Sequence, residues 1–313
     1  MGDALFSTPA LRALRKKFPE AFISCLIPRR CEDVLKRNPN LDELIVYNER
    51  TGFLSPSFWR LAARLRALRF DRAILFHGSG TKSALMRLAK ISSVLEYEPP
   101  QGRIHKIDHF LNLLSRISVS PDGRTPDFYP DPAAEKALQA LLATHGMDPA
   151  APYVVVHAGG NWDLKRWPAD YFKTWIRLFQ NKFPWKVILC GTASEKKLCA
   201  EIVSGFDRKN VFSVCGETSL DMLAVLLKNS KFLLSNDSGP IHLASSQKTK
   251  IIGLFGPTDP AMTGPVSDAM VKILKADTGC EVPCYFSVCG DHACMKALTP
   301  ERVFHETESL ERS

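Results

Sequence analysis

Short apolar runs alternate along the chain with stretches whose apolar residues recur every three to four positions. The runs are AFISCLI (21–27), ELIVY (43–47), RAILF (72–76), YVVVH (153–157), KVILCG (186–191), NVFSV (210–214), KFLLS (231–235) and KIIGLF (250–255). They are continuous rather than alternating, as expected of strands buried on both faces of a parallel sheet. The periodic stretches predict helices over 10–18, 57–69, 105–117, 133–144, 169–182, 194–204 and 219–229. In the first of these, Ala10, Leu11, Leu14 and Phe18 share one face. Strands alternating with helices imply an α/β protein of doubly wound parallel sheets.

The alternation is interrupted once. SPDGRTPDFYPDP (120–132), rich in Pro, Gly and Asp, is followed by a helix and by HGMDPAAP (145–152), and the pattern then restarts with YVVVH. Two Rossmann-like domains are therefore expected, 1–149 and 150–313.

The chain has 313 residues, 45% hydrophobic and 24% charged, the make-up of an ordinary globular protein. It holds no apolar run near the roughly 18 residues that span a bilayer. No basic segment leading into an apolar one marks an export signal. Nine cysteines, an odd number, suit a reducing compartment. The cytoplasm is the expected location. The net charge of +8 attracts polyanions: nucleic acid, anionic lipid or phosphorylated substrates. No nucleic-acid-binding signature accompanies it, so nucleic acid is not an expected partner. The charge concentrates in FWRLAARLRALRFDR (58–72), where Phe58, Leu61, Ala62, Leu65 and Leu68 form an apolar stripe and Arg60, Arg64 and Arg66 point elsewhere. Two readings are open: a basic amphipathic helix lying on an anionic membrane, or a layer helix with a solvated basic face.

Candidate chemistry gathers where predicted strands turn into helices. In KFLLSNDSGPIHLASSQKTKIIGLFGPTDP (231–260) a strand ends in Asn236, Asp237 and Ser238, and Gly239–Pro240 open a helix with Pro in its permitted first turn. Such a turn offers backbone N–H groups and the positive end of a helix dipole, which together seat a phosphate. His242 falls one turn further on. Alternatively, Asp237 or Ser238 is simply an N-cap. In YVVVHAGGNWDLKRWPADYF (153–172) the strand ends at His157, and Lys165 and Arg166 supply cations ahead of the next helix. In VILCGTASEKKL (187–198) Glu195 accepts ribose hydroxyls or merely complements the helix N-terminus. GSGTKS (78–83) lacks the P-loop spacing, because Lys82 does not follow a Gly. Cys280, Cys284, Cys289 and Cys294, with His292 nearby, lack the paired C-x₂-C spacing of common zinc sites, so free thiols are expected, with a structural metal site as the open alternative. Cys25, Cys31, Cys190, Cys199 and Cys215 are expected as small core residues.

Four segments in order, GDALFSTPALRAL, HAGG…KRWP, GTASE and SNDSGPIHLASS…IIGLFGPTDP, resemble glycosyltransferase family 9, the ADP-heptose:lipopolysaccharide heptosyltransferases and their relatives. The resemblance covers nearly the whole chain. It implies a GT-B-type architecture of two Rossmann-like domains facing a central cleft, the N-terminal one for the acceptor and the C-terminal one for the nucleotide sugar. It assigns Lys165 to the diphosphate and Asp237, Ser238, Gly239 and His242 to the family's D-[ST]-G-x-x-H element. Glu195 then contacts the nucleoside, His157 lies on the donor side, and His77 and Lys82 lie on the acceptor side. Asp3 matches the proposed general base.

The implied reaction is an inverting transfer of heptose from ADP-heptose to the lipopolysaccharide inner core, beside the inner face of the cytoplasmic membrane. No Asp-x-Asp is present, so no metal and no cofactor beyond the sugar nucleotide is expected. In the family, Gly-Asp follows a first β-strand and a basic turn. The resemblance therefore implies such a segment upstream of Met1, without which Asp3 would sit on a frayed end beside the α-amino group. Two other readings stay open: a GT-B-type nucleotide-sugar epimerase, and a nucleotide-sugar-binding protein with impaired catalysis.

Overall fold

The computed structural model describes residues 1–48, 52–99, 102–148, 150–284, 286 and 288–311. Asp3–Arg124 form one compact unit and the residues from Thr125 onward a second. Pro149, the last residue of the first expected domain, lies outside the described residues.

In the first unit, β1 (Ser24–Pro28) pairs in parallel with β2 (Glu43–Tyr47), and β3 (Arg72–Ile74) with β4 (Ser93–Leu95). These are two separate two-stranded sheets, and most of their residues are only half-buried. They share a core with the helices Pro56–Ala67 and Gly80–Leu88, centred on Ile45, Phe58, Leu65, Leu75, Leu85 and Ile91. Most of the apolar stripe of the basic helix points inward: Phe58, Ala62 and Leu65 are buried and Leu61 partly so, while Leu68 at its end is exposed. Its buried residues pack in the layer between the sheets, as the layer-helix reading expects.

The second unit is a single six-stranded parallel sheet. Its strands are β5 (Tyr153–His157), β6 (Lys186–Leu189), β7 (Val211–Ser213), β8 (Leu233–Asn236), β9 (Ile251–Phe255) and β10 (Val271–Lys275), in the order β10-β9-β8-β5-β6-β7. Numbered within the unit this is 6-5-4-1-2-3, the doubly wound Rossmann order, with its switch point between β5 and β8. Continuous apolar sequence translates into complete burial of β5 and β9. One face is filled by Trp175, Phe179 and Phe232 around the helix Ala169–Lys182, on which the helix Pro300–Glu311 packs. The helix Ala133–Thr144 packs on Leu220–Asn229.

Two strands escape the run-of-apolar criterion. β4 has three residues, and β10 (VKILK) carries two lysines because it closes the sheet edge and leaves Ile273 39% exposed. Cys199 and Cys215, expected as separate core thiols, are joined in a disulfide. The helix Lys196–Val203 and the turn after β7 aim the two buried side chains at each other. Cys25, Cys31 and Cys190 are free, as are Cys280, Cys284, Cys289 and Cys294.

Candidate functional site

The loops that leave β5 and β8 on either side of the switch point carry most of the expected donor residues. Ligands of doubly wound sheets bind at that position, outside the carboxyl ends of the strands. Asn236, the last residue of β8 and fully buried, locks the two loops together. Its amide donates to the carbonyls of Ala158 (2.8 Å) and Gly159 (3.1 Å), and its oxygen accepts the Trp167 N–H at 3.0 Å. The turn Asp163–Lys165 is pinned from its other side by His292, whose Nε2 donates to the Leu164 carbonyl at 2.8 Å.

This framework sets Lys165 against Asp237. Lys165 Nζ donates to Asp237 Oδ2 at 2.8 Å, and the hydroxyl of Thr258, from the loop after β9, donates to the same oxygen at 2.7 Å. Asp237 is 4% exposed, so its charge requires these donors. Next in sequence, Ser238 is the N-terminal boundary of the helix Gly239–Ser246, yet neither it nor Asp237 makes a side-chain cap. Ser238 Oγ is instead hydrogen-bonded to His157 Nδ1 at 2.9 Å. The simple N-cap reading therefore does not hold. The helix start keeps N–H groups with no intrahelical acceptor, and a cation stands beside them. His242, in the same helix, is buried.

Glu195 serves as a brace. Its carboxylate completes a capping box with Thr192 and also accepts the Gly160 N–H at 2.8 Å and the Thr192 N–H at 2.7 Å. His157 Nε2 lies 3.7 Å from Oε2, the oxygen that accepts the Thr192 N–H. Burial alone would raise its pKa, but His157 and the Thr192 amide hold the carboxyl well below the usual carboxylate range. Gly159 lacks a side chain for a visible reason: a Cβ there would collide with the Glu195 carboxylate.

In the first unit, Asp3 lies in the first turn of the helix Gly2–Phe6, anchored by buried Ala4, Leu5 and Phe6. The expected frayed end is not found, because the helix continues into the buried face of Thr8–Lys17. Nor does the α-amino group take the carboxylate: Met1 N is directed at Cys31 Sγ, 3.9 Å away. Asp3 Oδ1 accepts from Lys106 Nζ at 2.8 Å, and Oδ2 lies 3.6 Å from His77 Nε2. His77 and then Lys106 hold the Asp3 carboxyl far below its ordinary value, against the opposing effect of burial. Lys106 opens the helix Lys106–Ser115, where a cation opposes the helix dipole unless a carboxylate is near. Lys82 lies among Leu26, Tyr47, Phe58, Leu61 and Leu85, and burial lowers its pKa.

The structure thus gathers Lys165 with Asp237, His157 with Ser238 and Glu195, and Asp3 with His77. Sequence reasoning missed Thr258, Asn236 and Lys106 as members of these clusters. The GPTDP loop and the strand-end position of Asn236 were visible, whereas Lys106 carried no signal. Among the described residues, no three His, Cys, Asp or Glu side chains are grouped to hold a metal ion.

A model of glycosyltransferase family 9 (heptosyltransferase) matches residues 58–285. The chain is 25% identical to lipooligosaccharide heptosyltransferase 2 of Campylobacter jejuni over 99% of its own length and 96% of the relative's. In fold it is similar to the ADP-heptose lps heptosyltransferase II of E. coli, with a TM-score of 0.81 at 21% identity, covering 100% of this chain and 97% of that one. The E. coli heptosyltransferase WaaC with ADP superposes with a TM-score of 0.73 at 20% identity, covering 99% and 96%. The fold is of GT-B type.

Proposed function

The chain belongs to glycosyltransferase family 9, and from that premise we propose that it transfers heptose from ADP-heptose to the inner core of lipopolysaccharide with inversion at the anomeric carbon. The observation that carries the donor half of this reading is Lys165 paired with Asp237, whose Oδ2 also accepts from Thr258, beside the start of the helix Gly239–Ser246. A nucleoside diphosphate meets there a cation, a hydroxyl and the positive end of a helix dipole.

In the reaction an acceptor hydroxyl attacks the anomeric carbon and surrenders its proton to Asp3. The bond from that carbon to the diphosphate breaks, and its electron pair leaves on the diphosphate oxygen. Lys165 and the helix N-terminus stabilise the charge where it develops. Ser238 contributes its hydroxyl, oriented by His157, and Glu195 holds the two loops at a fixed separation and faces the nucleoside. The N-terminal part binds the acceptor, with His77 and Lys82 on that side, and the C-terminal part binds the sugar nucleotide. Lys165 does the charge neutralisation that a divalent cation does in other transferases, so activity is expected to survive EDTA. The protein works at the inner face of the cytoplasmic membrane, in peripheral contact with its anionic lipids, where a membrane-anchored acceptor is presented. No helix among the described residues is long and apolar enough to cross that membrane.

The test is transfer from ADP-heptose to truncated inner-core lipopolysaccharide, with the anomeric configuration of the product read by NMR. Inverted product dependent on acceptor supports the reading. Conversion of the donor when incubated alone would point to an epimerase, and donor binding without transfer to any core acceptor would point to a binding protein.

A further inference from the structure

The helix Pro56–Ala67 buries its apolar stripe, yet it begins at an apolar knob facing solvent. Leu54 is fully exposed, Trp59 is 54% exposed and Phe53 48%. The knob is a built feature. Ser55 caps the helix by accepting the Ser57 N–H at 3.3 Å, and Pro56 occupies the first turn. Trp59 Nε1 donates to the Phe53 carbonyl at 3.0 Å, and the Phe53 ring lies 4.9 Å from that of buried Phe58. The indole N–H is therefore satisfied within the protein, and what Trp59 and Phe53 present outward is hydrocarbon.

Cations flank this knob. Arg64 pairs with Glu43, but Arg60 and Arg66 are exposed and have no acidic partner among the described residues. Arg66 follows Trp59 by seven residues, two helical turns on the same side, and Arg60 sits next to it. Clustered exposed Phe, Leu and Trp are unusual on a soluble surface. Ringed by arginines, they match a bilayer interface, where an aromatic ring sits at headgroup depth and guanidinium groups meet phosphates.

We propose that Phe53, Leu54 and Trp59 enter the interface of a bilayer carrying anionic phospholipids, with Arg60 and Arg66 on the headgroup phosphates. The proposal rests on and deepens the peripheral membrane contact of the functional reading. Vesicle binding is measured without donor or acceptor, so its failure and that of the transfer reading are separate.

The full-length protein is sedimented with vesicles of phosphatidylcholine alone or with 30% phosphatidylglycerol. Binding is expected only to the anionic vesicles, and to weaken in 0.5 M salt. Leu54→Ser/Trp59→Ser is expected to weaken it at least tenfold. Arg60→Gln/Arg66→Gln is expected to weaken it about 30-fold, at about 1 kcal/mol per surface cation. Circular dichroism melting and transfer to a soluble, delipidated acceptor should match the unaltered protein in both variants. Equal binding to neutral vesicles, no binding to either, or unaltered binding by Leu54→Ser/Trp59→Ser overturns the proposal. Concentration-dependent self-association abolished by that variant, with no vesicle binding, would assign the knob to a second copy of the chain instead.

Discussion

Asp237 Oδ2 is shared by an ammonium and a hydroxyl, and in the proposed reaction that sharing fixes where the Lys165 charge sits. A lysine is a point charge on a flexible stem, and its value to a leaving group depends on being held in place. Lys165→Ala is expected to lower kcat by 10²–10³. Thr258→Val should lower kcat roughly tenfold with little change in KM, and Thr258→Ser should restore it, by the ordinary size of one hydrogen bond to a charged group. Rescue by serine separates positioning from bulk, since only the hydroxyl is common to both. At Asp3, the proposed general base, Asp3→Asn should cost 10²–10⁴ in kcat. Lys106 and His77 keep Asp3 ionised at low pH, so the acid limb of kcat/KM should lie below the ordinary carboxylate range. Lys106→Gln should move that limb upward. An unmoved limb would mean that Asp3 does not set it. Asp3, Lys165 and Asp237 were legible because each stands in a motif. Lys106 was not, because it reaches Asp3 across 103 residues and no local spacing announces such a pair.

Among the elements, the strand ends and the turns after them carry the site, and Glu195 ties two of them together. Its carboxylate closes a capping box and holds the Gly160 amide, so Glu195→Ala is expected to lower stability by about 2 kcal/mol, read as a shift in urea midpoint. Gly159→Ala should be comparably harmful, since its methyl group would occupy the space of that carboxylate. The pH dependence has a definite sign. The folded-state pKa of Glu195 is depressed below its ordinary 4.5. The stability it contributes is therefore fully present above that value and lost as pH falls through it towards the folded value. Urea midpoints should hold from pH 7 to 5.5 and then decline, and Glu195→Gln should flatten the decline. A decline of unchanged slope in the variant would assign it to other carboxylates. The helix-start motif was read correctly as an element, but the sequence offered an N-cap where the structure has a hydrogen bond to His157. Cap residues are recognised by type and position, and neither reveals a competing partner 81 residues away.

Across the whole molecule the two units differ in how much their sequences disclose. The second unit's central strands are buried on both faces, so nearly all their residues are apolar and the alternation with helices reads directly as a doubly wound sheet. The first unit's strands are half-buried in two small sheets, and their boundaries were correspondingly blurred. The same contrast governs stability: substitutions in β5 such as Val155→Ala should cost about 2–4 kcal/mol, whereas Ala73→Gly in β3 should cost about 1 kcal/mol, measured by urea unfolding. By itself the sequence determined the fold class, the strand-to-helix turns that carry the candidate site and the family. Those properties rest on local periodicity and on residues adjacent in the chain. Only the tertiary structure decided which side of the basic helix meets solvent, that Cys199 and Cys215 face each other, and that Thr258 and Lys106 complete the charged clusters. Each of these depends on packing between distant segments, where hydrogen bonds and burial act over a few ångströms of space whatever the separation along the chain.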